Sequence, residues 1–219
     1  MAKTDSEDGR RALADLCDAY YEPVVAYLRM VLRDADAARE LSHAFFAEML
    51  GGGTIHSAER GRGRFRSYLL GAVKHFVANQ RDAARRLKRG GGVAAVALDD
   101  PEAHSVPDMR ISSPDAEFDK QWAVTVLERG MASLRAECLA EGRVDFFENV
   151  RPLLTGDSTY GDQGSIAALC GMKVEAFRVA LHRLKKRLRK CVKDEVAGTL
   201  DDPDSVQDEM QTLFAALCG

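Results

Sequence analysis

The chain has 219 residues, of which 46% are apolar and 30% charged, and its formal net charge is −3 at pH 7. That composition belongs to a folded protein rather than a disordered or fibrous one, and the length suffices for one sizeable domain or two small ones. No apolar run approaches the roughly 20 residues of a membrane helix. Residues 1–10 are polar and acidic, without the apolar core of a signal peptide. The five cysteines (Cys17, Cys138, Cys170, Cys191, Cys218) are scattered, with no Cys-x-x-Cys pair. Membrane spanning, export, a disulfide framework and structural zinc are therefore not expected, and reduced thiols in a cytoplasm are.

Charge is unevenly distributed. Residues 1–60 carry −4, 61–92 carry +8, 93–164 carry −8, 165–195 carry +6 and 196–219 carry −5. A single basic block is as readily a solvated helix face as a phosphate-binding surface. Two of them, set among acidic stretches that discourage indiscriminate sticking, favour phosphate.

Along the chain β-branched alternation is almost absent, and Ala, Leu, Arg and Glu dominate the periodic stretches, so an all-α fold is expected. Leu13, Leu16, Tyr20, Val24, Tyr27, Leu28 and Val31 recur at helical spacing, with Pro23 predicting a break or kink between two segments. A second helix begins near Asp34, an acceptable N-cap, carries Leu41, Phe45, Met49 and Leu50, and ends at Gly51-Gly52-Gly53. A basic loop, 54–64, leads into a long helix from Phe65 to about Leu87 that buries Phe65, Leu69, Ala72, Val73 and Phe76. At about 100° per residue, Lys74, Arg81, Arg85 and Lys88 fall opposite Phe65 and Phe76 as a cationic stripe. It stops at Gly90-Gly91-Gly92. Residues 93–115, with Pro101, Pro107, Pro114 and several acids, read as a linker. A second helical domain follows, with Trp122, Val126, Leu127, Leu134 and Cys138 on one face. Phe146, Phe147, Val150, Leu153 and Leu154 come next, before a break at Gly156-Asp157.

Residues 165–190 carry a helix-turn-helix signature. Ile166-Ala167-Ala168-Leu169 is a short apolar helix, Ala167 is small where two helices must cross closely, and Gly171 supplies a permissive turn four residues on. Phe177, Leu181, Leu184 and Leu188 form the buried face of the second helix, and Lys173, Arg178, His182, Arg183, Lys185, Lys186, Arg187 and Arg189 its polar faces. A major groove admits one such helix, whose first turns reach base edges while later Lys and Arg hold phosphates.

Three stretches, in this order, resemble a known family: Asp36 to Leu50, Gly63 to Leu70, and Ser165 to Arg189. Together they are similar to a bacterial RNA polymerase sigma factor of the extracytoplasmic-function (ECF) group. The resemblance implies two small helical domains joined by a flexible acidic linker. Residues 1–92 would be the region 2 helical bundle and 93–115 the linker. Residues 116–195 would be region 4 with its helix-turn-helix, and 196–219 a C-terminal helical extension. It also implies partners: core RNA polymerase, through the β′ clamp helices and the β flap, and promoter DNA, with an anti-sigma factor or other regulator as a further partner.

Residue roles follow from the same resemblance. Glu40, His43 and Phe46 would face core polymerase; His43-Ala44 stand where Gln-Glu is common in the family. The 51–64 loop would capture a flipped promoter base with His56, Arg60, Arg62 and Arg64 as donors. The helix after it would lie along the −10 element with Lys74, His75, Asn79, Arg81 and Arg85. Asn79, near the apolar side of the wheel, is either a base contact or a structural amide. Lys173, Glu175, Arg178, Val179, His182, Arg183 and Lys186 would serve the −35 element. The linker would either thread the polymerase cleft or act as a plain spacer.

The tail places Val206, Met210, Leu213, Phe214 and Leu217 on one stripe behind an Asp202-Pro203 start, and is expected to pack on region 4 rather than bind a separate regulator. His43, His56, His75, His104 and His182 show no metal spacing, no Gly-Lys-Ser/Thr P-loop follows the triple glycine, and no carboxylate cluster suits an enzyme. Neither catalysis nor a cofactor is expected. The alternative to a sigma factor is a stand-alone helix-turn-helix regulator, which would have no need of the 36–64 segment.

Overall fold

A computed structural model describes residues 7–51, 64–89, 113–156, 162–200 and 203–218. They form α1 (Glu7–Leu32), α2 (Ala35–Gly51), α3 (Phe65–Arg89), α4 (Pro114–Ala140), α5 (Val144–Leu154), α6 (Gln163–Leu169), α7 (Val174–Ala197) and α8 (Val206–Cys218). A 3-10 turn, Pro203–Ser205, leads into α8. The all-α expectation holds: the described residues contain eight α-helices and no strand. None of these helices is long and apolar enough to cross a membrane.

Contacts divide the chain into two units, Met1–Thr125 with Thr199–Gly219, and Val126–Gly198. This differs from the boundary read at 93–115, most of which lies outside the described residues. The division falls inside α4, which starts at Pro114 where the Ser113 hydroxyl accepts the Ala116 N–H at 3.1 Å. The first turns of α4 carry Phe118 and Trp122 into the core of the first unit, and Val126, Leu134 and Cys138 further along are buried in the second.

In the first unit, α1 runs as one helix through Pro23, so of the break or kink read there the break does not occur. Proline removes a helix hydrogen bond and crowds the preceding turn, at about 3 kcal/mol. The turn that follows, Val24 to Leu28, is buried throughout, and apolar burial of that extent holds the helix together. Arg33 takes the left-handed conformation at φ 56° and ends α1. Asp34 then caps α2, its Oδ1 accepting the N–H groups of Asp36 at 2.9 Å and Ala37 at 3.1 Å. Leu69, Val73, Phe76 and Val77 of α3 are buried, while Phe65 and Ala72 are only half-buried.

The C-terminal helix α8 belongs to this first unit, not to the helix-turn-helix as expected. Val206, Met210 and Leu213 of the expected stripe are buried, but Phe214 and Leu217 are exposed, and Glu209, at 1% exposure, takes their place inward. The reason is a charge. Arg66, 8% exposed, sets its Nε 3.3 Å from Glu209 Oε2, pairs through Nη1 with Asp119, and lies 4.9 Å from the Trp122 ring centroid. Burying a guanidinium without a counter-charge is prohibitive, so the helix turns its carboxylate inward. Tyr20 lies in the same core, edge-on to Phe65 at 5.2 Å, and burial pushes its phenol pKa up to about 12.

In the second unit, α4 and α7 approach so closely at Gly130 that an added Cβ would lie 2.7 Å from Val192 Cγ2 and 3.1 Å from its backbone nitrogen. Arg187 fastens the same two helices, donating to Glu137 Oε2 at 2.7 Å and Glu141 Oε1 at 2.7 Å. These two carboxylates hold the Arg187 guanidinium well above its ordinary pKa, and Arg187 in turn holds the Glu141 carboxyl below its own.

Replacing Glu209 by Ala leaves Arg66 short of its buried partner and should destabilise the protein by about 3–5 kcal/mol in urea unfolding. The exposed Asp36, paired with Arg39 at 3.0 Å, serves as the comparison, and Asp36→Ala should change stability by less than about 0.5 kcal/mol. Equal effects of the two substitutions would contradict the buried-pair assignment.

Candidate nucleic-acid interface

The helix-turn-helix is built from local signals. Asp162 caps α6, its Oδ1 accepting Gly164 N–H at 2.7 Å and Ser165 N–H at 3.0 Å, with the Ser165 hydroxyl donating to Oδ2 at 2.6 Å. These donors, the Ser165 hydroxyl first, hold the Asp162 carboxyl below the usual carboxylate range. The helix ends after seven residues because Gly171 takes φ 64°, which returns Gly171 N–H to Ala168 O at 2.9 Å and Met172 N–H to Ala167 O at 2.9 Å. Ala167 is fully buried where α6 meets α7, and Phe177, also fully buried, is edge-on to Phe146 at 6.2 Å. The spacing of Ala167, Gly171 and Phe177 thus produces the geometry read from it.

With Phe177, Leu181, Leu184 and Leu188 inward, α7 turns Glu175, Arg178, Val179, His182, Arg183 and Lys186 outward, and Lys173 at its N-cap is exposed as well. Val179 is 52% exposed, an apolar spot on an otherwise polar face. Arg178 donates to Gln163 Oε1 at 3.0 Å, which ties the first turn of α7 to the start of α6. An open groove of about 520 Å³ runs beside this face, with Glu175, Val179, Arg183 and Arg143 among its lining residues. Seven candidate residues for the −35 element are thus brought to one surface, while Arg187, which the sequence placed among the polar residues of the same helix, is used internally.

On the first unit, the candidates for the −10 element divide. His56, Arg60 and Arg62 lie outside the described residues. Arg64 is ion-paired with Asp208 at 3.3 Å and Glu209 at 3.2 Å, and Lys74 with Asp115 at 2.6 Å, a bond that raises the Lys74 pKa. The side chains of His75 and Asn79, one helical turn apart, are 3.2 Å from each other and exposed, so Asn79 is a surface amide rather than a core one. Arg81 is half-buried, and its Nε and Nη2 are shielded from water without a hydrogen-bond partner among the described residues. Arg85 is exposed.

His75 and Asn79 also line an open groove of about 460 Å³ between the last turns of α2 and the first turns of α3, the two elements that the 52–63 segment joins. Phe45, Tyr68 and Phe76 supply aromatic surface there. Phe45 and Phe76 are almost wholly buried there, while Tyr68 and the amide–imidazole pair of Asn79 and His75 are more open.

On α2, Glu40 and His43 are exposed, and His43 is stacked on Tyr21 at 5.6 Å with its Nε2 2.9 Å from the Tyr21 hydroxyl. Phe46 is different. It is 8% exposed, packed against Phe45 at 5.3 Å and Tyr21 at 6.1 Å. Most of its side chain is thus covered by its own unit. Three residues past His43 the helix has turned back by about 60°, and the exposed face continues through Ala44 and Ala47 instead.

Three residues of consequence were missed: Arg66, Glu209 and Arg187. The only sequence signal for the first two is that each polar residue interrupts an apolar stripe. Among the described residues no group of three or more His, Cys, Asp or Glu is placed to hold a metal ion.

The Asp162 cap gives a pH-dependent expectation. A carboxylate whose folded pKa is lowered stabilises the fold above the ordinary carboxylate range, and that contribution is lost as pH falls through the lowered value. Asp162→Ala should therefore lower the thermal midpoint at pH 7, with the difference from wild type closing at acid pH. A difference that persists unchanged below the carboxylate range would contradict the charged cap. A scan of protein-family models, a search of curated proteins and a search of solved structures each return no match for this chain.

Proposed function

We propose that this chain is a promoter-specificity subunit of bacterial RNA polymerase, of the ECF sigma type that its sequence resembles. On this reading it is a cytoplasmic, non-enzymatic protein without a cofactor. The first unit engages core polymerase through the exposed face of α2 and meets the −10 element through α3 and the loop before it. The second unit reads the −35 element with α7, and the complex initiates transcription at promoters that carry both.

The observation that carries the proposal is the α6–α7 pair. A capped short helix, a left-handed glycine and a buried aromatic anchor hold a second helix whose outward face bears Arg178, His182, Arg183 and Lys186. That face suits a major groove, with Arg178 in the first turns near base edges and Lys186 further back near phosphates. One observation favours the alternative of a stand-alone helix-turn-helix regulator: with Phe46 inside the unit, the α2 surface keeps only Glu40 and His43 of the three residues assigned to polymerase.

Two substitutions on α7 separate base reading from phosphate holding. Arg178→Ala should weaken binding to a cognate promoter by about 1–3 kcal/mol and relax preference at one base pair. Lys186→Ala should weaken all sequences alike and reduce the salt slope by about one phosphate contact. Glu40→Arg should reduce co-elution with core polymerase without changing the circular dichroism spectrum. Wild-type DNA binding in both α7 variants would refute the assignment of that face, and unchanged polymerase binding by the Glu40 variant would favour the stand-alone regulator.

A further inference from the structure

We propose that α8 is an intramolecular mask, in which Asp208 and Glu209 occupy the guanidinium of Arg64 in competition with nucleic acid. The inference rests on the reading of the first unit as a DNA-binding surface. Arg64 is the last residue of the basic loop before α3, and its side chain is about a third exposed (32%). Its Nη2 lies 3.3 Å from Asp208 Oδ2 and its Nε 3.2 Å from Glu209 Oε1. Nε and Nη2 form one edge of the guanidinium, the edge that takes a phosphate by two parallel bonds. Asp208 takes the Nη2 hydrogen bond of that edge, and the Glu209 carboxylate, the next residue of the same helix, lies within ion-pair distance of Nε without a hydrogen bond to it.

The charge of the partners agrees. Residues 196–219 hold five acids and no Lys or Arg, against a net +8 over residues 61–92. The tail therefore presents to the basic block the same sign as a nucleic-acid backbone. Lys74 of α3 is likewise held by a carboxylate from outside the block, Asp115.

Two grades of contact make the mask displaceable without unfolding. Glu209 is anchored by the buried Arg66, which fixes α8 in place. Asp208 is two-thirds exposed (66%), and its pair with Arg64 is of the kind that water and salt weaken. A competing phosphate can take Arg64 from Asp208 while the Arg66–Glu209 anchor stays closed.

The test measures the full-length protein, without polymerase, against a short random-sequence DNA single strand, which a major-groove helix does not read. Asp208→Asn, on the surface, should tighten binding about two- to five-fold and steepen the salt dependence by about 0.7 in log–log slope. Adding Arg64→Ala to Asp208→Asn should abolish the gain. Asp36→Asn removes the same charge from α2 and should leave single-strand affinity unchanged.

Equal gains from Asp36→Asn and Asp208→Asn, or a gain that survives Arg64→Ala, would overturn the mask, since net charge alone would then explain the effect. Single-strand binding by Arg85→Ala, on the exposed face of α3, separates the mask from the reading of the first unit on which it rests. If Arg85→Ala weakens single-strand binding while Asp208→Asn leaves it unchanged, the mask fails and the DNA-binding reading of the first unit stands. If neither substitution has an effect, both fail.

Discussion

The guanidinium of Arg66 beneath Trp122 decides how the first unit is assembled. Placed near the start of α3 and almost fully buried, it requires carboxylates, and the chain supplies them from two distant segments, Asp119 of α4 and Glu209 of α8. Each brings an apolar stripe with it. Phe118 and Trp122 enter beside Asp119, and Val206, Met210 and Leu213 enter beside Glu209. A buried ion pair adds little net stability over an apolar replacement, but it is strongly specific, because any other docking of α8 would strand a charge. The same docking sets Asp208 beside Arg64, so the arrangement of the core reaches the basic loop that leads into α3.

The second unit uses a different economy. Its helix-turn-helix depends on backbone geometry and close approach rather than buried charge: a carboxylate cap at Asp162, a left-handed Gly171, Ala167 at the crossing, and Gly130 against Val192. The one strong ionic element, Arg187 between Glu137 and Glu141, lies three turns beyond the start of α7 and binds that helix to α4. A clamp there holds the helix axis while leaving the earlier residues Arg178, His182 and Arg183 facing outward. Cationic residues on one helix thus divide by position into those that fasten it and those that remain available to a partner.

How legible these features were in the sequence follows from how local their causes are. The helices were readable because Val24 and Leu28, or Leu69, Val73 and Phe76, repeat at helical spacing whatever packs on them. The helix-turn-helix was readable because Ala167, Gly171 and Phe177 act within ten residues of chain. Pro23 misled because its local penalty is overcome by the burial of the turn after it, which only tertiary packing supplies. The role of Phe46 came from resemblance, while its facing depends on a turn of the helix that places it on Tyr21 and Phe45. The Arg66–Glu209 pair joins residues 143 positions apart, and no periodicity reports a contact of that range. The tail was accordingly set against the wrong unit.

On the proposed sigma-type reading, the two cationic faces act together, within polymerase, on two promoter elements. Run-off transcription with purified core polymerase on a promoter library randomised at two upstream blocks tests it most directly. The expected result is transcripts that depend on this protein, start at a fixed distance from the selected sequences, and are enriched for one motif in each block. Sequence-specific binding to duplex DNA by the protein alone, with no transcript and no association with core polymerase, would contradict it.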